Sequence, residues 1–172
     1  SIQDAAGNNA NRTLASPGAA GSLGANKAIV VDTTAPVISA VTPASSSSVN
    51  NTSVGYTLSE VCASGSVTWT RTGGSADAGG SPAGTHTQAL AGAELNAGAF
   101  SGTITNNPTL VDGTIYSVAF NCTDLAGNVA TTVTSTSVTY SPGVLTITSA
   151  ETLDTNNNGK IDTYRIGFNK SV

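Results

Sequence analysis

Tyr116-Ser117-Val118-Ala119-Phe120-Asn121-Cys122 alternates aromatic or apolar side chains with small or polar ones over seven residues. Successive side chains of a strand point to opposite faces, so Tyr116, Val118, Phe120 and Cys122 share one face and should meet a core. An antiparallel layer with one wet side reads in this way, whereas a strand buried on both faces reads as an unbroken apolar run. Working outward, similar short runs recur at Val37 to Val41, Ser53 to Leu58, Ser66 to Arg71 (with the single tryptophan, Trp69), Phe100 to Thr105, Thr114 to Thr123 and Val129 to Tyr140. Gly73 to Thr85, rich in glycine and serine, is expected to be a mobile loop. About seven short strands separated by turn residues indicate an all-β sandwich. No stretch sustains a 3.6-residue apolar period, so no long helix is expected.

Composition narrows the function classes. The 172 residues carry a net charge of −4, and only 9% are charged. The six basic residues, Arg12, Lys27, Arg71, Lys160, Arg165 and Lys170, are scattered and form no stripe for nucleic acid or anionic lipid. No run approaches the ~18 apolar residues of a membrane helix. The opening Ser1-Ile2-Gln3-Asp4 reads as the interior of a mature protein rather than a leader. The two cysteines, Cys62 and Cys122, are too far apart for a compact zinc knuckle, and His86 is the lone histidine. A disulfide across the sandwich is the plainer reading, with two buried free thiols as the alternative; a bridge implies an oxidising compartment.

Repetition organises the rest. Asp4-Ala5-Ala6-Gly7-Asn8 returns 120 positions later as Asp124-Leu125-Ala126-Gly127-Asn128. Self-similarity of this sort marks tandem architecture. In each copy Gly-Asn should supply the positive-φ positions of a tight turn. Pro36 ends a linker before the first strand of the central block. Three segments follow: 1–31, the terminal strand and linker of a preceding or partner β-domain; 32–141, the sandwich; and 142–172, the opening strands of a further β-domain. Neither flank can bury a core by itself.

Val31-Asp32-Thr33-Thr34-Ala35-Pro36, Leu110-Val111-Asp112-Gly113-Thr114-Ile115-Tyr116 and Asp124-Leu125-Ala126-Gly127-Asn128 resemble, in sequence and in order, the repeats of bacterial immunoglobulin-like domains. The resemblance implies an immunoglobulin-like β-sandwich at the bacterial surface or outside the cell, in the setting of adhesins, stalks and fibres. It implies partners among other copies of the chain or adjacent repeat domains, and host or surface glycans and proteins. A fold does not carry an activity with it. The cysteine pair departs from the commonest repeats, which have none. Asp112 to Tyr116 is similar to a tyrosine corner, where the hydroxyl ties a strand end back to the backbone.

One stretch suggests a ligand. Asp154-Thr155-Asn156-Asn157-Asn158-Gly159-Lys160-Ile161-Asp162 places oxygen donors at Asp154, Asn156 and Asn158, a glycine at the sixth position, the Lys160 carbonyl at the seventh and Asp162 at the ninth. Alternate side chains can converge there on a hard cation, as in calcium loops of the EF-hand type and in the dockerins that the stretch resembles. The twelfth position is Arg165 instead of glutamate, and Glu151, three residues upstream, is the substitute carboxylate. An asparagine-rich hairpin turn without an ion accounts for the same residues. Asp4, Asp32 and Asp124, near the segment ends, are read as turn caps, the alternative being calcium ligands that stiffen a joint between successive sandwiches. Catalysis finds no support. His86 sits in Gly84-Thr85-His86-Thr87 and is expected to be an exposed loop residue, and no carboxylates are paired in sequence. Residues 33–140 contain no lysine for an isopeptide cross-link. Sequons at Asn11, Asn50, Asn51, Asn121 and Asn169 offer glycosylation sites at the frequency this composition gives by chance. The leading expectation is therefore a non-catalytic structural repeat of a filament, stalk or adhesin, the alternatives being a glycan- or surface-binding module or an accessory domain of a secreted hydrolase.

Overall fold

A computed structural model describes residues 2–10, 13–26 and 31–169. Arg12, Lys27, Lys170 and the sequon at Asn11 lie outside them. The chain divides into two units, Ser1–Thr34 and Ala35–Val172. In the first, Gln3 bridges Asn9 around the Asp4 turn, and a single helical turn spans Leu23–Asn26. Ser22 Oγ accepts the Gly18 and Ala25 amides, both at 3.1 Å.

The second unit contains β1 (Ile38–Thr42), β2 (Ser48–Val49), β3 (Val54–Leu58), β4 (Cys62–Gly74), β5 (Thr85–Ala89), β6 (Gly98–Gly102), β7 (Thr114–Asp124), β8 (Val133–Tyr140), β9 (Ile147–Leu153) and β10 (Thr163–Phe168). One sheet has the order β1-β3-β6 and a second has β2-β8-β7-β4-β5, so the sandwich is built by crossovers between its layers. All pairings are antiparallel except that of β2 with β8, which is parallel. A separate two-stranded sheet, β9 with β10, follows.

The alternation in the founding stretch is realised residue by residue. Along β7 buried and half-buried positions alternate without a break from Thr114 to Asp124. Tyr56 reaches across from the other sheet, its ring 5.9 Å from Phe120 and 5.2 Å from Phe100. Trp69 on β4 is wholly buried and meets Tyr116 edge to face at 5.9 Å, a favoured aromatic geometry. Gly55 is required where β1 crosses β3, because a Cβ there would lie 2.6 Å from Thr42 Oγ1.

Two expectations about the middle of the chain need correction. The tryptophan strand is far longer than Ser66 to Arg71, because bulges near Cys62 and Arg71 let β4 stay paired with β7 beyond both ends. His86 is not an exposed loop residue: it lies on β5, opposite Trp69, with 8% of its surface exposed. Glycine-rich context concealed a five-residue edge strand, Thr-His-Thr-Gln-Ala, whose pairing with β4 overrides a weak local propensity.

Candidate functional site

The cysteines form a disulfide with a Cα–Cα distance of 6.0 Å. Its location differs from the expected bridge across the sandwich. Cys62 and Cys122 lie on β4 and β7, adjacent strands of one sheet, with Cys122 opposite Gly65 and Cys62 opposite Asp124. The bulge between Cys62 and Ser64 shifts the register so that the two side chains on the core face can meet.

Tyr116 forms the tyrosine corner: its hydroxyl accepts the Val111 amide at 3.1 Å. The same hydroxyl donates to Asp77 Oδ2 at 2.6 Å. Asp77 comes from the glycine-rich loop between β4 and β5, yet it is buried. Its Oδ2 also lies 2.8 Å from His86 Nε2, and its Oδ1 accepts the Gly79 amide at 2.9 Å. Burial pushes the Asp77 carboxyl up, but the bonds from Tyr116, His86 and Gly79 outweigh it and hold the group below the ordinary carboxylate range. The loop is further tied down by Arg71, whose Nε and Nη2 donate to the Ser75 and Gly74 carbonyls. A run that composition marks as mobile is therefore bonded to the sandwich through one aspartate and one arginine.

A second buried carboxylate, Glu94, sits in the short 3₁₀ turn Gly92–Leu95. Its oxygens accept the Ala91 amide at 2.7 Å, the Thr105 amide at 2.5 Å and the Thr105 hydroxyl at 2.9 Å. The Glu94 carbonyl accepts the Tyr56 hydroxyl at 2.7 Å. Burial, with the Glu94 charge beside it, pushes the Tyr56 phenol well above its usual value. Both carboxylates are consumed by hydrogen bonds that hold loops to the core. Sequence reasoning missed them because no local pattern announces a buried acid: Asp77 meets side chains of β5 and β7, and Glu94 meets Thr105 beyond the end of β6.

The nine-residue loop between β9 and β10 is exposed apart from the half-buried Asp154. Asp154 Oδ1 and Asn156 Oδ1 both accept the Asn158 amide at 3.1 Å, and Asp154 Oδ2 accepts the Gly159 amide at 2.7 Å. Asn158 Oδ1 accepts the Lys160 amide at 2.9 Å, and Asp162 Oδ1 accepts the Thr155 amide and hydroxyl at 2.9 and 2.6 Å. The sharp turn uses left-handed backbone at Asn157 and Gly159. Asp154 and Asn156 thus direct their oxygens at one amide, while Asn158 and Asp162 serve other amides of the same loop. Glu151 stands apart on β9, as the cross-strand neighbour of Arg165.

The echoed turns have the same geometry. In both, the aspartate side chain accepts the backbone amide and the Nδ2 of the asparagine four residues on, at 2.8 to 2.9 Å. Gly7 and Gly127 alone take positive φ, so the asparagines act through hydrogen bonds rather than through left-handed backbone. The flanking bonds also correspond, Ala10 N to the Ile2 carbonyl and Ala130 N to the Cys122 carbonyl. Asp32 Oδ1 accepts the Thr34 amide at 2.9 Å.

Among the described residues no helix is long and apolar enough to cross a membrane. Neither a curated protein nor a solved structure matches the chain. Residues 32–142 match the family described as "Bacterial Ig-like domain", whose members are typically non-catalytic and commonly extracellular or at the cell surface. Sandwich, tyrosine corner and family match agree, and the chain belongs to the bacterial immunoglobulin-like domain family.

Proposed function

We propose that the chain is a load-bearing spacer of an extracellular bacterial filament, stalk or adhesin, joined end to end with neighbouring domains or other copies of itself. One observation carries this reading: the chain enters the sandwich at one pole and leaves it at the other. Ala35 to Ile38 share a groove with Thr131 and Val133, at the start of β8. β8 then runs eight residues to Tyr140, roughly 25 Å of strand. At that far end the first and last parts of the fold pair in parallel, Ser48 with Thr139 and Val49 with Tyr140. Thr139 N donates to the Ser47 carbonyl at 2.9 Å and Ser141 N to the Val49 carbonyl at 2.7 Å. Tension applied along β8 loads these bonds together in shear instead of opening them one by one.

Single-molecule pulling between residues 35 and 141 tests the reading. The expected result is a high unfolding force that falls in Ser141→Pro, which lacks the amide bonded to Val49. An unfolding force unchanged by that substitution would sink it. Surface labelling of the producing bacterium checks the location separately.

Calcium at the Asp154 loop belongs to the same proposal. Asp154, Asn156, Asn158, the Lys160 carbonyl and Asp162 would hold the ion, with Glu151 as an outer carboxylate. The two oxygens of Asp154 and Asn156 that meet at one amide, and the left-handed Gly159, support it. So few formal charges give weak binding, about millimolar to submillimolar, as in other extracellular modules. Calcium titration followed by amide shifts should perturb residues 154–162 and leave Asp154→Ala unaffected. Equal shifts in both proteins would exclude the loop as the site.

A further inference from the structure

The two-stranded sheet at the end of the chain repeats the clasp and the overall register offset of the first strand pair of the sandwich. In the sandwich, Val37 N donates to Ser59 Oγ at 2.9 Å while Ser59 N donates to the Val37 carbonyl at 3.0 Å. In the terminal sheet, Thr146 N donates to Asn169 Oδ1 at 2.8 Å while Asn169 N donates to the Thr146 carbonyl at 3.1 Å. Next to each clasp stands the same kind of pair, Ile38 with Leu58 and Ile147 with Phe168. Each first strand then bulges by one residue, between Ser39 and Thr42 in β1 and between Ile147 and Ser149 in β9, after which Thr42 faces Gly55 and Glu151 faces Arg165. β9 thus corresponds to β1, and β10 to β3.

The correspondence identifies a core row. Val54, Tyr56 and Leu58 are the inward residues of β3, with exposures of 1%, 2% and 2%. Tyr164, Ile166 and Phe168 hold the equivalent positions on β10 and are exposed by 75%, 53% and 40%. The opposite face of the terminal sheet carries the cross-strand pair Glu151 and Arg165. A sheet with one apolar and one charged face is built to be covered on the apolar side.

The sandwich shows what covers such a pair. β6 adds to the free edge of β3, with Tyr56 opposite Phe100 and Leu58 opposite Gly98. Aromatic side chains complete the burial, Phe100 from that strand and Phe120 from the facing sheet. The N-terminal unit supplies an independent sign of the same repetition, because residues 2–10 reproduce the bonds of the β7–β8 corner.

We propose that β9 and β10 form the opening strand pair of a further immunoglobulin-like sandwich, and that the free edge of β10 accepts an antiparallel strand of the β6 type, Gly-Ala-Phe-Ser-Gly in this chain. Recognition combines backbone pairing along β10 with packing of an aromatic residue over Ile166. The proposal deepens the end-to-end reading above, on which it rests, by naming the partner strand and its register.

The probe is a peptide copying residues 96–105, added at millimolar concentration to the full chain and followed by amide exchange and nuclear magnetic resonance. Exchange within 163–168 should slow by roughly tenfold or more. A spin label on the peptide N-terminus should broaden Phe168 and Asn169 before Tyr164, as the antiparallel register requires. Ile166→Asp should abolish both effects, while the melting of the sandwich, read through Trp69, stays unchanged. Three results would each overturn the proposal: no protection, a reversed broadening pattern, or a terminal sheet that does not form in solution. Concentration-dependent dimers lost in Ile166→Asp would overturn it as well, by assigning the apolar row to a second copy. None of these bears on the unfolding force between residues 35 and 141, so the spacer reading stands or falls separately.

Discussion

Asp77 ties a loop, an edge strand and the tyrosine corner together through a single carboxylate. Removing it leaves the Tyr116 hydroxyl and His86 Nε2 buried without that partner, and each orphaned group costs about 1–3 kcal/mol. Asp77→Ala should therefore lose about 2–6 kcal/mol in a denaturant titration, and Tyr116→Phe about half as much, since it keeps the ring against Trp69. The same carboxyl sets an acid limit. Its folded pKa is depressed, so its contribution is fully present above the ordinary carboxylate value and disappears as pH falls through the lowered one. Thermal melting of the native chain should drop below about pH 4, with a smaller decline in Asp77→Asn. An equal decline in both would place the acid sensitivity elsewhere. None of this could be read from Ser75 to Gly84, where an aspartate among glycines and serines looks solvated; its burial comes from strands that the loop meets only after folding.

At the scale of elements, the disulfide staples β4 to β7, the longest pairing in the fold. Closing a loop with a sequence separation of 60 stabilises by about 4 kcal/mol on the chain-entropy estimate. The double variant Cys62→Ser, Cys122→Ser should lose about that much, with m rising as the denatured chain expands. In pulling experiments the intact bridge should shorten the released length by roughly 200 Å, recovered on reduction. The existence of the strands was legible from alternation, and β3 and β7 fell close to where the pattern placed them. β5 and the ends of β4 were not, because edge pairing and bulges are settled by the neighbouring strand rather than by the residues that make them.

For the whole molecule, the family, the two-layer sandwich and the repeat at the Asp4 and Asp124 turns were already present in the residues. Alternation fixes which side chains face inward, and Asp-x-x-Gly-Asn closes a turn from bonds within five residues. The core face of Tyr116, Val118, Phe120 and Cys122 was legible for the same reason. The likeness of β9–β10 to β1–β3 was not, since Tyr164, Ile166 and Phe168 share no identity with Val54, Tyr56 and Leu58; it emerged from the clasp, the register and the bulge. Tertiary structure alone decided that the cysteines join neighbouring strands and that Asp77, His86 and Glu94 are buried. It also decided that the chain enters and leaves at opposite poles. Local sequence determines what a residue offers to its own strand or turn. Which groups a buried charge meets, and which edges remain open, depend on contacts between segments far apart in the chain.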